Sequence, residues 1–224
     1  MTRYAVYYAP EPADPLWRAG CAWLGRDPCG TAPAAAPALE EIGPITAQAR
    51  RYGFHATLRP PMRLREGATR AALLEAMQSV AATIPAFPLP PLAVRDLGGF
   101  LCLRETQESM ALQALCDLSV ALTEPLRAPL NAAELAHRRA DELCPVRAAN
   151  LFHWGYPDVF ASWIFHMTLS RRLSPAESAT LRPAAQAWFA EALAQPRLVT
   201  SLALFEEAAP GAPFRLTARV ALGG

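Results

Sequence analysis

The sequence predicts an α+β fold built as two similar lobes. Three observations carry that expectation. Strand-like runs of β-branched and aromatic residues alternate with segments of helical periodicity. Turn signals at Gly98-Gly99 and Pro210-Gly211 each join two neighbouring strand-like runs, which argues for antiparallel pairing. The five-residue pattern F-H-x-T-L also occurs twice, at 54–58 and 165–169, about half a chain apart. Residues 1–224 are therefore expected to form a single bilobal domain, with halves of roughly 1–125 and 126–224.

Each element has its own local reason. The run Arg3–Tyr8 (RYAVYY) stops before Pro10 and reads as a strand. Asp14-Pro15 caps and starts a helix that Gly25 ends. Residues 26–50 are rich in Pro, Ala and Gly and lack clear periodicity, so they read as a long loop with one helical turn, a flap over a site. A short strand at 52–59 carries YGFHATLR. A helix over 69–83 places Leu73, Leu74, Met77, Val80 and Ala81 at helical spacing, before Pro85, Pro88, Pro90 and Pro91 break the pattern. The strands LAVRDL and FLCLRE flank Gly98-Gly99, and a helix at about 107–122 aligns Ala111, Leu115, Leu118 and Leu122.

The second half repeats this plan. Asn131 and Glu134 have capping-box spacing and open a helix to about Leu143, before Pro145 and an irregular WGYP stretch. A strand spans 163–172 (WIFHMTLSRR). Ser174, Pro175 and Glu177 supply N-cap, first-turn proline and capping-box acid for a helix whose apolar face is Leu181, Ala185, Trp188, Phe189 and Ala192. Strands at about 198–207 and 213–222 close the chain.

Composition narrows the function. Hydrophobic residues form 52% of the chain and charged residues 18%, which suits a globular domain with a real core. No apolar run reaches the roughly 20 residues that a bilayer span needs, so no membrane partner is expected. The opening MTRYAVYYAPEP lacks a charged region followed by an apolar stretch, so no secretory leader is expected and a cytoplasmic location is. Cys21, Cys29, Cys102, Cys116 and Cys144 contain no C-x-x-C pair and read as small hydrophobes in a reducing compartment. The net charge of +1 does not favour a nucleic-acid partner. All 21 basic residues are arginine, which removes Schiff-base chemistry, a lysyl-nucleotide intermediate and a P-loop lysine. Arginine still offers a permanently charged planar fork for phosphate.

The repeated pattern carries the chemistry. Strand side chains alternate with a period of two. His55 and Thr57 therefore share one face, and Phe54, Ala56 and Leu58 the other; His166, Thr168 and Ser170 likewise oppose Phe165, Met167 and Leu169. Cleaving a phosphoester needs a base for the attacking oxygen and an acid for the leaving one. Two imidazoles can hold opposite protonation states at one pH. Each threonine places a hydroxyl near the same phosphate, where donors stabilise transition-state charge. Arg59 and Arg172 extend the two polar faces, so Arg59 is expected to bind substrate. This chemistry calls for no metal and no cofactor. A single H-x-T triplet says little; the same five-residue context twice says much more. His137, beside Arg138 and Arg139, reads as part of a solvated helix face, whereas His153 and Tyr156 could line a pocket. Tyr4, Tyr7 and Tyr8 suit stacking and core packing equally well.

At these residues the chain resembles the two-histidine phosphoesterases, a superfamily marked by paired H-x-[T/S]-x motifs. Its members include RNA ligase-like proteins, cyclic nucleotide phosphodiesterases and RNA-repair 2′,3′-cyclic phosphodiesterases. More narrowly it is similar to a family of phosphonate-metabolism proteins often encoded in carbon–phosphorus lyase operons, through RYAVYYAP, PLWRAGCAWLGRD, RYGFHATLRPP, LFHWGYP and FHMTLSRRL. That family usually carries lysine where this chain has Arg59. The resemblance implies two antiparallel sheets facing a central cleft with helices outside, and His55, Thr57, His166 and Thr168 lining that cleft. It implies a metal-independent cyclic phosphodiesterase acting on a small cyclic phosphate, a 2′,3′-cyclic nucleotide or a ribose cyclic phosphate of phosphonate breakdown. Either histidine could be the base. The alternatives are an enzyme of RNA ends and a non-catalytic protein that binds a phosphate ligand.

Overall fold

The structure, a computed structural model, describes residues 1–39, 42–138 and 142–223. Among these, seven strands form one fully antiparallel sheet: β1 (Arg3–Tyr8), β2 (Ala56–Met62), β4 (Leu92–Leu97), β5 (Phe100–Glu105), β6 (Met167–Arg172), β8 (Ser201–Glu207) and β9 (Arg215–Ala221). Their order across the sheet is β4-β5-β6-β2-β1-β8-β9, and β3 (Phe87–Leu89) pairs with β7 (Arg197–Val199) as a separate ribbon. At the centre, β2 and β6 meet through a single residue pair, Ala56 with Met167. The two expected sheets are thus the four-strand and three-strand halves of one, joined at the residues that follow the two histidines. The four-strand half joins the two ends of the chain, β1 and β2 with β8 and β9, while the three-strand half comes from its middle, β4 and β5 with β6.

Local chemistry explains the pairing. The β4–β5 hairpin turns on Gly98 and Gly99, both at positive φ (59° and 91°), the backbone a tight hairpin turn needs. The helices α1 (Pro15–Leu24), α3 (Arg70–Thr83), α4 (Met110–Thr123) and α7 (Pro175–Leu193) start at the side-chain caps Asp14, Thr69, Ser109 and Ser174. They cover the apolar side of the sheet, α4 against β2, α1 against β6, α3 against β8 and β9, and α7 against β4. Phe54 stacks on Phe189 of α7, Trp23 of α1 donates its indole N–H to the Leu169 carbonyl, and the Cys116 thiol of α4 reaches the Leu58 carbonyl. Phe54, Ala56, Leu58, Phe165, Met167 and Leu169 are at most 1% exposed. Burial of each larger one is worth about 1.5–3 kcal/mol, so the apolar half of each motif anchors its polar half.

Several sequence expectations need correction. Residues 42–52 are not loop: α2 (Ile42–Tyr52) buries Ile45, Thr46 and Ala49 on one face and ends in Arg50 and Arg51, which favour its C-terminal dipole. Pro44 sits in its first turn, where proline is tolerated, so the Pro-rich composition of 26–50 hid a helix. Pro145 begins a helix as well as following one: α6 (Pro145–Trp154) has Pro145 in its first turn and Gly155 as its cap, and the irregular stretch comes after it, at 155–158. The preceding helix, α5 (Ala132–His137), keeps the Asn131–Glu134 capping box but is short. The His137 side chain and residues 139–141, in the expected end of that helix, lie outside the described residues. On α4 the buried stripe is Leu112, Leu115, Cys116, Ser119, Val120 and Thr123, while Leu122 is exposed. Ser119 and Thr123 donate to carbonyls four residues back, at 2.6 Å each, so burying their hydroxyls leaves nothing unpaired.

Candidate active site

Both histidines sit one residue before their strands, at the entry to β2 and β6. Burial alternates along both motifs as the period of two requires: Phe54, Ala56 and Leu58 are buried while His55 and Thr57 are half-buried, and residues 165–169 repeat the pattern. The two strand entries share a further local feature. His55 Nδ1 lies 2.8 Å from the Gly53 carbonyl, and His166 Nδ1 lies 2.8 Å from the Ile164 carbonyl. A carbonyl only accepts, so each Nδ1 carries a proton and each Nε2 is left as the chemically free edge. On His55 that edge receives the Thr57 hydroxyl at 3.2 Å. Trp163 donates its indole N–H to the Thr57 carbonyl at 2.8 Å, tying the approach to His166 onto the first motif.

These residues line one cleft of about 460 Å³ with His55, Thr57, His166 and Thr168 on its walls. Arg3, Arg138, Arg171 and Arg172 also line it, with Tyr7, Tyr52, Tyr156 and Phe100, and no carboxylate does among the described residues. Such a lining selects an anion. Tyr7 of β1 stacks on the His55 ring with centroids 3.7 Å apart, and Phe100 meets His166 edge-on at 5.8 Å. Burial pushes the His55 imidazole down to about 4, against the bond to Gly53, and the positive form of His166 pushes the same way. His166 is also held below its ordinary value, by burial first, against the Ile164 bond, with Arg104 adding to the lowering. Both imidazoles are therefore neutral and ready to accept at pH 7, His55 the more firmly.

Arg59 does not line this cleft, contrary to expectation. Tyr7 pairs with Thr57 and the adjacent Val6 pairs with Arg59, so β2 carries one extra residue there, a β-bulge. The bulge breaks the alternation and turns Arg59 inward. Its side chain is 1% exposed and bonds Glu124 at 2.7 Å, the Trp154 carbonyl at 3.1 Å and the Met62 sulfur at 3.3 Å. It locks α6 and the end of α4 to β2 and is a structural clamp. Arg59→Ala should lower unfolding free energy by about 1–3 kcal/mol in urea titration, the cost of charged hydrogen bonds. Arg127 continues to pair with Glu124 at 2.6 Å and limits the loss.

Of the other candidates, Arg172 and Tyr156 reach the cleft, and the exposed His153 side chain does not. Tyr4 packs at the core edge and Tyr8 is buried. Arg3, Gln48, Tyr52, Phe100 and Arg138 were not anticipated. Strand alternation holds a signal for one of them, because Arg3 lies on the same face of β1 as Tyr7. No helix among the described residues is long and apolar enough to cross a membrane.

Two proteins named ribose 1,5-bisphosphate phosphokinase PhnN are similar to the chain. That of Janthinobacterium sp. (strain Marseille) is 39% identical over 233 residues, covering 100% of this chain and 51% of its own length. That of Laribacter hongkongensis (strain HLHK9) is 38% identical, covering 96% and 50%. The chain thus spans about half the length of these curated relatives. Among solved structures, a phosphoesterase shares 16% identity at a TM-score of 0.44, each chain covered in full. E. coli LigT complexed with 3′-AMP shares 19% at 0.46, with 100% of this chain and 99% of that one covered. Residues 57–215, most of the chain and both motif threonines, match the family described as Protein of unknown function (DUF1045), and the chain belongs to that family.

Proposed function

We propose that this protein is a metal-independent two-histidine phosphoesterase that opens a small cyclic phosphate to a monoester. The observation that carries the proposal is the matched pair of imidazoles, each fixed through Nδ1 by the carbonyl two residues back, in an arginine-lined cleft. His55, the more strongly neutral of the two, is the base: its Nε2 takes a proton from water as the water oxygen bonds to phosphorus. His166, once protonated, gives its Nε2 proton to the ester oxygen that leaves on the opposite side. Thr57, Thr168 and the arginine guanidiniums hold the non-bridging oxygens.

A ribose cyclic phosphate is the substrate class we favour. The relatives' name places a kinase of ribose 1,5-bisphosphate in proteins twice this length. This chain has no lysine for a P-loop, which suits a separate step on a related sugar phosphate. Opening a cyclic phosphate on 5-phosphoribose yields a ribose bisphosphate, the kind of compound such a kinase consumes. Phosphorus NMR with EDTA present should show the ring phosphate converted to a monoester. A panel of ribose and nucleoside cyclic phosphates that stays unchanged would overturn the proposal.

The pH profile is a second test. In the free enzyme the base must be neutral and the acid protonated. kcat/KM should therefore rise with pH through the His55 value of about 4 and fall as His166 loses its proton, below its ordinary 6.5. The optimum is expected on the acid side of neutrality. An optimum above pH 8 would exclude this assignment of roles.

A further inference from the structure

The cleft is larger than one phosphate needs and lies within the roughly 300–1,000 Å³ of pockets that hold whole small ligands. On the His55 side, where Tyr7 and Tyr52 meet the imidazole, a second group of cationic and phenolic side chains lines it. Arg138 lies with its guanidinium 4.7 Å over the Tyr156 ring, and both line the cleft with Arg3 and Tyr52. Glu134, one turn back on α5, is held by Arg63 at 2.8 Å. Arg3 and Arg51 share a single fully buried carboxylate, Glu207, and Arg51 lies over the Tyr52 ring. Among the described residues, with Glu134 paired to Arg63, the guanidiniums of Arg3, Arg51 and Arg138 against the Glu207 carboxylate leave two net positive charges, with the Tyr52 and Tyr156 hydroxyls as donors beside them. Burial lowers the Arg138 value and raises that of Tyr156, so neither group is simply bathed in solvent.

We infer that Arg138, Arg3, Tyr52 and Tyr156 form a second anion subsite, which receives a terminal phosphomonoester of the substrate while the histidines act on its cyclic phosphate. A phosphomonoester carries about −1.5 to −2 at neutral pH, which matches the net charge of the cluster. The stacked, planar Arg138 fork suits two parallel bonds to phosphate oxygens. Arg172, at the other end, is more exposed and is engaged with the Gly98 carbonyl, so the partly desolvated cluster near His55 is the stronger anchor. The inference rests on the phosphoesterase reading for its reacting centre and adds the chemical class of the substrate's far end.

The test compares ribose 1,2-cyclic phosphate with and without a 5-phosphate, on the wild-type chain and on Arg138→Gln. Wild type should prefer the 5-phosphorylated form at least tenfold in kcat/KM, mainly through KM. In Arg138→Gln that preference should fall toward one, and Arg138→Lys should recover part of it. An unchanged preference in Arg138→Gln, with a folded state verified by circular dichroism, would overturn the subsite. Calorimetric titration with ribose 5-phosphate reads the subsite without turnover. Binding by wild type that weakens at least tenfold in Arg138→Gln supports it even where no cyclic phosphate is opened, the case in which only the reaction assignment fails. Equal binding by both proteins overturns it.

Discussion

His55→Ala and His166→Ala should each lower turnover of a cyclic phosphate by about 10²–10⁴, the range that a positioned general acid or base supplies. Substrate affinity should change far less, since the arginines remain. The two histidines act on one proton inventory: without the base no proton leaves water, and without the acid the leaving oxygen must depart as an alkoxide. Their losses are therefore expected not to add, and the double variant should fall little below the worse single one. The pH profiles should separate the roles. His55→Ala should abolish the acid limb and keep the alkaline one; His166→Ala should do the reverse. His→Gln at each position keeps an amide near the Nε2 position without a titrating group, which separates lost chemistry from lost packing against Tyr7 or Phe100. Single variants that retain the full rate in EDTA would end the two-histidine mechanism.

The motif pair was legible because its information is local and periodic. Phe54 and Leu58 declare the buried face, and the period of two then obliges His55 and Thr57 to the other; the structure keeps that alternation in both copies. The same rule misplaced Arg59 two residues later, since one extra residue in β2 resets the phase. A bulge depends on the register of the neighbouring strand, which residues 52–59 do not encode by themselves. The α2 helix was hidden for a related reason. Its Pro and Gly sit in the first turn, where they cost little, yet they dominate a composition window that includes the Pro-rich stretch before it. Missing it meant missing Gln48 and Tyr52 in the cleft wall. Arg138 could not be found by pattern at all. It reaches the site because α5 ends beside Tyr156, a contact between segments that no spacing within either one reveals.

The largest effect of a single methyl group is expected at Gly53. This residue links the end of α2 to the first motif, and its φ of +85° lies in the left-handed region that costs an L-residue roughly 1–2 kcal/mol. A Cβ built there would lie 2.3 Å from the Pro28 ring and 3.5 Å from Phe205, far inside contact distance in the first case. Overpacking of this kind typically costs about 1–3 kcal/mol, and a proline ring has little freedom to move aside. Gly53→Ala should therefore lose about 2–5 kcal/mol of unfolding free energy in urea titration, the two costs together. The effect should not stop at stability, because the Gly53 carbonyl is what fixes His55 Nδ1. A shift of a few tenths of an ångström there turns the imidazole and moves its Nε2 edge away from Thr57. Reduced kcat is expected under conditions where the variant is still folded, together with a displaced acid limb in the pH profile. Gly25→Ala serves as the control. Its φ of +68° carries the same left-handed strain, but Gly25 caps α1 and its Cβ would come no closer than 3.6 Å to the Arg50 guanidinium, so stability should fall while the pH profile stays in place. A Gly53→Ala variant that matches wild type in both melting and pH profile would show that the backbone before His55 does not position it.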